Sequence, residues 1–409
     1  MRVLGITAEY NPFHNGHAYH IREAKARTGC DYLVVLQSGD FVQRGTPAII
    51  DKYDRAEAAL RNGADMVIEL PIYSATASAE LFAEGAIKAF RDLGIDAISY
   101  GIESEKEEQD TLAAIRAVAS YLCEEPEEYR LLLKKGLSEG LSFAAARWNA
   151  LQALCPAVSG LSSTPNNILG IEYEKAMKRL HVDFESMPIK RIGAYHDTEI
   201  KTENNLYSSA TAIREAWLHG IFPNNACPDN AEQIYNKSAS YPLTADDFSL
   251  LLFPLLYGAT SDGLAEVFDV SPDFARRIAS VKILPGNWST LAEICKDRSH
   301  TRTYVDRCLC HMLLNITKAD AELYRNSKQV PYLHVLGVKQ DALGLLGSLS
   351  EQSKTPLLTR LSRDIATLDT TSMGLFQKEL RATAMYRQVL AGKGYVMPDE
   401  MQQRFMIVK

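Results

Sequence analysis

Short apolar segments and amphipathic helical patterns alternate through the first half of the chain, and this alternation constrains the fold more than any other feature. Buried strands are expected at Arg2–Thr7, Asp31–Gln37, Asp65–Leu70 and Ile95–Gly101, with a last one at Ser186–Ile192. Helical patterns separate them, so right-handed crossovers join successive strands. The order predicts an α/β fold with a doubly wound parallel sheet, whose ligand site lies outside the carboxyl ends of the strands.

The alternation stops after residue 220, and two domains are therefore predicted in the 409-residue chain. Residues 1–220 would form the α/β domain, and residues 221–409 a mostly helical domain. Within the second domain we expect a strand around Tyr332–Gly337, a short segment near Pro356–Thr359 and a helix over 372–390. The longest apolar run, Phe248–Tyr257, contains proline and is far shorter than the ~18 residues of a membrane span, so no membrane partner is expected.

The segment His14-Asn15-Gly16-His17 lies between the first predicted strand and the first helix. Its glycine lets phosphate groups approach the backbone, while the helix N-terminus offers unpaired N–H groups and positive potential. The two imidazoles add donors that hold a transition state more tightly than a ground state as charge develops on phosphorus. His20 lies one turn further on the same face. The pattern indicates adenylyl transfer from a bound triphosphate; ordinary core or surface histidines are the alternative.

Other polar residues follow predicted strands or begin helices, and we expect them to gather at the same sheet edge. The candidates are Asp40, Gly101, Asn166 or Asn167, Lys190 or Arg191, and the helix start with Ser208, Ser209 and Arg214. Asp40, which follows the second predicted strand, either closes a turn or acts on metal or substrate. The glycine would let adenine or ribose lie on the backbone, the carboxamide would bind adenine edges, and the arginines would contact phosphate. Gln43-Arg44-Gly45 is either a solvated loop or a basic segment that faces phosphate or RNA.

The net charge of −7 argues against a general nucleic-acid coat but permits RNA on a local basic patch. Basic residues outnumber acidic ones between residues 276 and 307, which is usual for a solvated face but also suits an RNA backbone. The predicted RNA contacts there are Arg276, Arg277, Lys282, Arg298 and Arg302. Tyr304 and His311 nearby are candidates for stacking on a base.

Seven scattered cysteines without a C-x-x-C pair predict reduced thiols in a cytoplasmic protein. Cys308 and Cys310 have poor spacing for zinc, so we predict no protein-bound metal site.

The chain resembles the bacterial tRNA(Met) cytidine acetate ligase family, within the nucleotidyltransferase-like superfamily of H-x-G-H enzymes. The resemblance rests on ordered strings in the first half of the chain. They are E-Y-N-P-F-H-N-G-H (9–17), S-G-D-F-V-Q-R-G-T-P-A (38–48), N-G-A-D-M-V-I-E-L-P (62–71), P-N-N-I-L-G (165–170) and S-A-T-A-I-R (209–214). One segment departs from the family pattern, since Ile102 stands where the family has serine.

This resemblance implies a two-step reaction with ATP, Mg²⁺ and acetate, followed by acetylation of the wobble cytidine of elongator tRNA(Met) at N4. It also implies an ATP loop from Thr7 to His20, with His14 and His17 on the phosphates. Together with Asp40, chosen for its place at the carboxyl end of a strand, these histidines are the predicted catalytic residues. The implied loop contacts are Thr7, Glu9, Tyr10, Asn11, Pro12, Phe13, His14, Asn15, Gly16, His17 and His20. Gly101, Asn167 and Arg191 would complete the nucleotide site, and the basic residues of the helical half would bind the tRNA.

Two alternatives stay open at the level of sequence. One is a small-molecule adenylyltransferase or a ligase similar to pantothenate synthetase, which would have little use for a large helical half with basic residues. The other is a tRNA-binding protein without catalysis, against which the joint presence of His14, Gly16, His17 and Arg214 argues.

Overall fold

A computed structural model describes residues 1–192, 207–221, 225–238, 242–281 and 286–409. Within these ranges, eight strands form one sheet. The strands are β1 Val3–Ala8, β2 Tyr32–Ser38, β3 Met66–Leu70, β4 Ala97–Ile102, β5 Glu185–Lys190, β6 Leu333–Lys339, β7 Leu357–Leu358 and β8 Met406–Val408.

Helices flank the sheet and fill most of the second half of the chain. Those of the first half are α1 Asn15–Thr28, α2 Lys52–Arg61, α3 Ile72–Ala75, α4 Ala79–Leu93, α5 Glu108–Glu124, α6 Glu127–Ser138, α7 Phe143–Leu154 and α8 Pro165–Leu180. The remainder are α9 Ala210–Leu218, α10 Asp229–Ser238, α11 Ser249–Gly258, α12 Ser261–Ala265, α13 Pro272–Val281, α14 Trp288–Cys295, α15 Arg302–Leu314, α16 Lys318–Asn326, α17 Leu343–Gln352, α18 Leu361–Asp364 and α19 Thr370–Gly392.

The strand order is β5-β4-β1-β2-β3-β6-β7, with β8 beside β6. The first five strands are mutually parallel, as the alternating pattern predicts, and the chain order reverses between β4 and β2 on either side of β1. The α/β fold with a parallel doubly wound sheet is therefore confirmed. The reversal at β1 opens a crevice at the carboxyl ends of the strands, which is where such sheets bind ligands.

Successive side chains of each central strand enter two different cores. In β2, Leu33 and Val35 face the core that contains α1 and α2, whereas Val34 and Leu36 face the core that contains α4 and α5. All four side chains are fully buried. Because a strand places alternate residues on opposite faces, an uninterrupted apolar run is the signature of a sheet covered by helices on both sides.

The second half of the chain also contributes strands to this sheet. β6 pairs antiparallel with β3, and β7 and β8 then pair parallel with β6. The expected strand near residue 332, the short segment near residue 357 and the long helix near residue 380 are all present. The proposed boundary at residue 220 therefore divides the helices but not the sheet, which residues of both halves build together.

Within the described ranges, no helix is both long enough and apolar enough to cross a membrane. All seven cysteines are free thiols, as predicted.

Candidate active site

A cleft of about 450 Å³ lies at the carboxyl ends of β1, β4 and β5, against the start of α1. The predicted residues that line it are Thr7, Glu9, Tyr10, Asn11, His14, Gly16, His17, His20, Gly101, Arg191, Ser209 and Arg214. These residues come from four separate parts of the sequence and meet at one sheet edge. The tertiary structure places Pro12, Phe13, Asn15, Asp40, Asn167 and Ser208 outside the lining.

His14 and His17 form a reciprocal cap at the N-terminus of α1. The Nδ1 atom of His14 accepts a hydrogen bond from the backbone N–H of Gly16 at 3.0 Å, and Nδ1 of His17 accepts one from the backbone N–H of His14 at 3.2 Å. The two rings stack with centroids 3.8 Å apart. Because each Nδ1 is an acceptor, the proton of each neutral ring lies on Nε2. Both imidazoles therefore keep an Nε2–H donor for a ligand.

Burial keeps these histidines neutral. It lowers the pKa of His14 to about 3, with a further contribution from the charges of Arg191 and Arg214. Burial likewise lowers the pKa of His17 well below its ordinary value, and the neighbouring His14 and Arg191 lower it further. The pKa of His20 falls to about 4 for the same reason of burial. A polyphosphate entering this cleft would meet neutral donors on the histidines and positive charge on the arginines.

Gly16 is required by the fold of the histidine cap. A Cβ atom at this position would lie 2.8 Å from Cε1 of His14 and 3.0 Å from its Nδ1, because the ring folds back over the glycine. Any larger residue would push the ring away from its capping position. The glycine of the H-x-G-H string therefore serves ring placement as well as the approach of a ligand.

Phe13 and Asn15 hold the loop in place rather than lining the cleft. The backbone N–H of Phe13 donates to the Tyr235 hydroxyl at 2.9 Å, and that hydroxyl donates to the Phe13 carbonyl at 3.2 Å. Asn15 donates from its backbone N–H to the Ala226 carbonyl at 3.0 Å. The segment around α10 thus secures the loop before α1 from outside.

Arg214 and His20 are fixed by contacts across the cleft. Arg214 donates from Nη1 to the Asn11 carbonyl at 2.7 Å, which ties α9 to the loop before α1. Ser209 caps α9 by accepting from the backbone N–H of Ala212 at 3.1 Å. His20 Nε2 lies 2.8 Å from the Ser99 hydroxyl, which itself donates to the Met187 carbonyl. Ser208, one residue before the cap, does not line the cleft.

Of the two asparagines, the structure brings Asn166 to the cleft and not Asn167, contrary to our expectation. Asn167 is fully buried, and its carboxamide accepts from the backbone N–H of Glu103 and donates to the carbonyls of Glu103 and Ser162. Every part of its amide group is used within the protein. Asn166 lines the cleft with Gly101 nearby, its Oδ1 atom lying 3.7 Å from where a Cβ of Gly101 would be.

Lys190 and Arg191 both line the cleft, so position does not separate these two candidates.

Several aromatic side chains also line the cleft and were not predicted as site residues. These are Tyr19, Phe82, Tyr100 and Tyr173. They come from helices and strands whose apolar residues look like ordinary core, so no sequence signal marked them.

Asp40 belongs to a buried charged cluster outside the cleft. The expectation that it lies beside the histidines is therefore wrong. The Lys52 ammonium is central to this cluster. It lies 2.9 Å from both carboxylate oxygens of Glu69, 2.9 Å from Glu400 and 3.8 Å from Asp40. His334 Nδ1 approaches Glu69 at 2.8 Å. Glu69, His334 and Glu400 could together hold a metal ion by distance alone, but the Lys52 ammonium already lies among them.

The charged cluster joins the two halves of the chain. Lys52 holds the pKa of Glu69 at about 2 despite burial, which by itself would raise it. Burial raises the pKa of Asp40, only partly opposed by the charge of Lys52. A carboxylate inside an apolar strand, such as Glu69, is a detectable sequence signal, because buried charges need partners. Its partners from the distant C-terminal segment could be identified only from the structure.

The predicted RNA face of the helical half is largely occupied by ion pairs. Arg276 pairs with Asp273, Arg277 with Asp297, and Arg302 with Glu293 and Asp306. Arg298 is exposed, and Lys282 lies outside the described residues. The expectation that His311 stacks on a base is wrong, because its ring is completely buried with Nε2 3.1 Å from the Thr76 hydroxyl. Tyr304 donates its hydroxyl proton to the Asp269 carbonyl at 2.9 Å.

The doubly wound sheet and the paired imidazoles at the start of α1 define a nucleotidyltransferase-type fold and site. A family model described as HIGH Nucleotidyl Transferase matches residues 1–400. The chain belongs to this family and, within it, to the tRNA(Met) cytidine acetate ligases.

Curated relatives and solved structures support this assignment along the full length. The chain is 37% identical to the tRNA(Met) cytidine acetate ligase of Thermoanaerobacter sp. (strain X514), over 97% of this chain and 99% of the relative. It is 36% identical to the same enzyme of Acetivibrio thermocellus, over 94% of each chain. Two crystal structures of Thermotoga maritima TmcAL superpose over all of both chains. The apo form has a TM-score of 0.90 at 27% identity, and the form bound with alpha-thio ATP has 0.88 at 26%.

Proposed function

We propose that the chain is an ATP-dependent ligase that activates acetate as acetyl-adenylate and transfers the acetyl group to N4 of the wobble cytidine of elongator tRNA(Met). The observation that carries the proposal is the cleft in which two neutral imidazoles, stacked at a helix N-terminus, meet Arg191 and Arg214. The names of the curated relatives support the choice of acetate and tRNA(Met). A cytoplasmic location follows from the proposed tRNA substrate.

In the first step, an oxygen of acetate attacks the α-phosphorus of ATP. The bond between this phosphorus and the oxygen bridging to the β-phosphate breaks, and pyrophosphate leaves with the bonding electrons. His14 and His17 would donate their Nε2–H groups to phosphate oxygens as charge develops, while Arg191 and Arg214 offset the charge of the leaving pyrophosphate. The helix N-terminus of α1 adds its own positive potential.

In the second step, N4 of the cytidine attacks the acetyl carbon. The bond from this carbon to the adenylate oxygen breaks, AMP leaves, and N4 gives up one proton to water. The products are N4-acetylcytidine in the tRNA, AMP and pyrophosphate. The aromatic lining from Phe82, Tyr100 and Tyr173 supplies apolar surface for bases inside the cleft.

Mg²⁺ would enter with ATP as a counter-ion of its phosphates. Among the described residues that line the cleft, Glu9 is the one carboxylate, and hard oxygen donors of this kind suit Mg²⁺.

The proposed tRNA contacts are still Arg276, Arg277, Lys282, Arg298 and Arg302. Since several of these arginines are ion-paired, tRNA phosphates would have to compete with the acidic partners.

Acetate-dependent exchange of label between pyrophosphate and ATP tests the first step, and nucleoside analysis of tRNA(Met) after incubation with ATP and acetate tests the second. We expect Mg²⁺-dependent exchange that His17→Ala abolishes and that the exposed control variant His219→Ala retains. Exchange with pantoate and none with acetate would refute the proposal in favour of a small-molecule ligase. Binding of tRNA without any exchange would favour a non-catalytic protein.

A further inference from the structure

Residues 41–47 form a small hairpin on the wall of the cleft. An isolated antiparallel bridge joins Phe41 to Pro47, and the backbone N–H of Val42 donates to the Thr46 carbonyl at 2.9 Å. Four of its residues line the same cleft as the histidines: Val42, Gln43, Arg44 and Thr46. The proposed ATP contacts come from the loop before α1 and from β4, β5, α8 and α9. The 41–47 hairpin therefore lines the cleft but has no proposed role in the formation of acetyl-adenylate.

Two attachments place the 41–47 hairpin between the nucleotide loop and the helical half. On one side, the backbone N–H of Gln43 donates to Oε1 of Glu9 at 3.0 Å. On the other side, Gly45 packs directly on the backbone of α15, where a Cβ atom would lie 2.3 Å from both Cα and N of Arg307. Gly45 also has φ +75°, which favours glycine. The hairpin thus connects the cleft with the helices that carry the proposed tRNA contacts.

Two side chains of the hairpin have the chemistry to bind a ligand. The Nε2 atom of Gln43 is hidden from solvent, and no hydrogen-bond acceptor is paired with it. Leaving a buried donor unpaired costs about 1–3 kcal/mol, so turning this amide toward an acceptor on a ligand in the cleft, which Gln43 lines, would be favourable. Arg44 is an exposed residue that lines the cleft beside Gln43, and it carries the positive charge that a phosphate requires.

We propose that the 41–47 hairpin holds the acceptor nucleotide, with Gln43 donating to the cytosine ring and Arg44 binding an adjacent phosphate of the RNA. This inference rests on the proposed function. When N4 of cytosine attacks the acetyl carbon, the acceptors N3 and O2 remain on the same ring edge, and the unpaired Nε2–H of Gln43 complements them. Uracil shares O2 but carries a proton on N3, so a donor placed at N3 also disfavours uridine.

Substitutions that keep size but change hydrogen bonding test the assignment of Gln43. Gln43→Met removes the donor without adding a charge beside Glu9, and we expect single-turnover acetylation of tRNA(Met) to slow by about tenfold or more. Acetate-dependent exchange between pyrophosphate and ATP should stay within about twofold, because the hairpin supplies none of the proposed ATP contacts. Gln340→Met, at an exposed glutamine outside the cleft, is the matched control. Thermal unfolding of each variant shows whether its fold is retained.

Arg44→Gln tests the phosphate contact by direct binding. We expect weaker binding of tRNA(Met) with a salt slope reduced by about one, and Arg130→Gln, at an exposed arginine elsewhere, should leave both unchanged. Equal losses of exchange and acetylation in the hairpin variants would overturn the inference and assign the hairpin to adenylate formation. Unchanged acetylation by Gln43→Met together with unchanged tRNA affinity of Arg44→Gln would also overturn it. Absence of exchange in the unmodified protein would instead refute the proposed function, while the binding data would still test the hairpin.

Discussion

Substituting His14 by asparagine separates the two roles that the structure gives this residue. His14 caps α1 through Nδ1, which accepts from the Gly16 backbone N–H at 3.0 Å, and it presents Nε2–H to the cleft. An asparagine oxygen is among the best N-cap acceptors, so His14→Asn retains the cap but cannot reproduce the Nε2–H donor in the same place. His14→Ala removes both functions.

The expected magnitudes differ enough to be distinguished. Loss of one preorganised donor to a charged transition state typically lowers the rate by about 10²–10³, or about 2.7–4 kcal/mol. Loss of an N-cap costs about 1 kcal/mol of unfolding free energy. Both variants should therefore slow acetate-dependent exchange between pyrophosphate and ATP by at least about a hundredfold. His14→Ala should be about 1 kcal/mol less stable than His14→Asn.

Exchange kinetics and urea unfolding of the two variants, measured at the same pH, provide the test. If His14→Asn exchanges label as fast as the unmodified protein, His14 is only a helix cap and the reasoning about its Nε2–H is wrong. If both variants are equally stable, the cap seen at the start of α1 contributes nothing measurable.

Three further predictions concern the cleft and the charged cluster. The lowered pKa values of the cleft histidines mean that the unfolded chain binds more protons than the folded one below about pH 6.5, so the free energy of unfolding should fall as the pH drops from 7 to 5. His20→Asn should reduce this fall, measured from the free energy of unfolding in urea at pH 7 and at pH 5. An unchanged dependence on pH would contradict the lowered pKa of His20. Lys52→Met should cost about 3–5 kcal/mol of stability, because it leaves the buried Glu69 carboxylate without the Lys52 ammonium, and a loss below about 1 kcal/mol would refute this. Asn166→Ala should raise the KM for ATP with little change in melting temperature, whereas Asn167→Ala should lower the melting temperature; the reverse result would restore the assignment of Asn167 to the nucleotide.

The local patterns of this sequence determine much of its fold. Leu33 to Leu36 form an uninterrupted apolar run that requires helices on both faces of a strand, and the structure has both layers. The strand–turn–helix order around His14 and His17 likewise places the pair at a helix start, where phosphate is bound. These features depend on residues close together in the chain, so sequence periodicity and capping chemistry are sufficient to predict them.

Other features depend on contacts between distant segments, and the sequence alone did not reveal them. Asn166 and Asn167 are adjacent and chemically identical, and only the direction of each side chain in α8 decides which reaches the cleft. Asp40 follows a strand as a site residue would, but the buried ammonium of Lys52 draws it into a cluster that includes Glu400.

The sequence by itself determined the α/β class, the parallel order of the first five strands and the histidine site, because each is specified by local periodicity or by a short motif. Only the tertiary structure decided that β6 to β8 extend the same sheet, that the 41–47 hairpin lies between the cleft and α15, and which polar residues line the cleft. The physical reason is that strand pairing and burial of charge are settled by the free energy of long-range packing, which residues far apart in the chain contribute together.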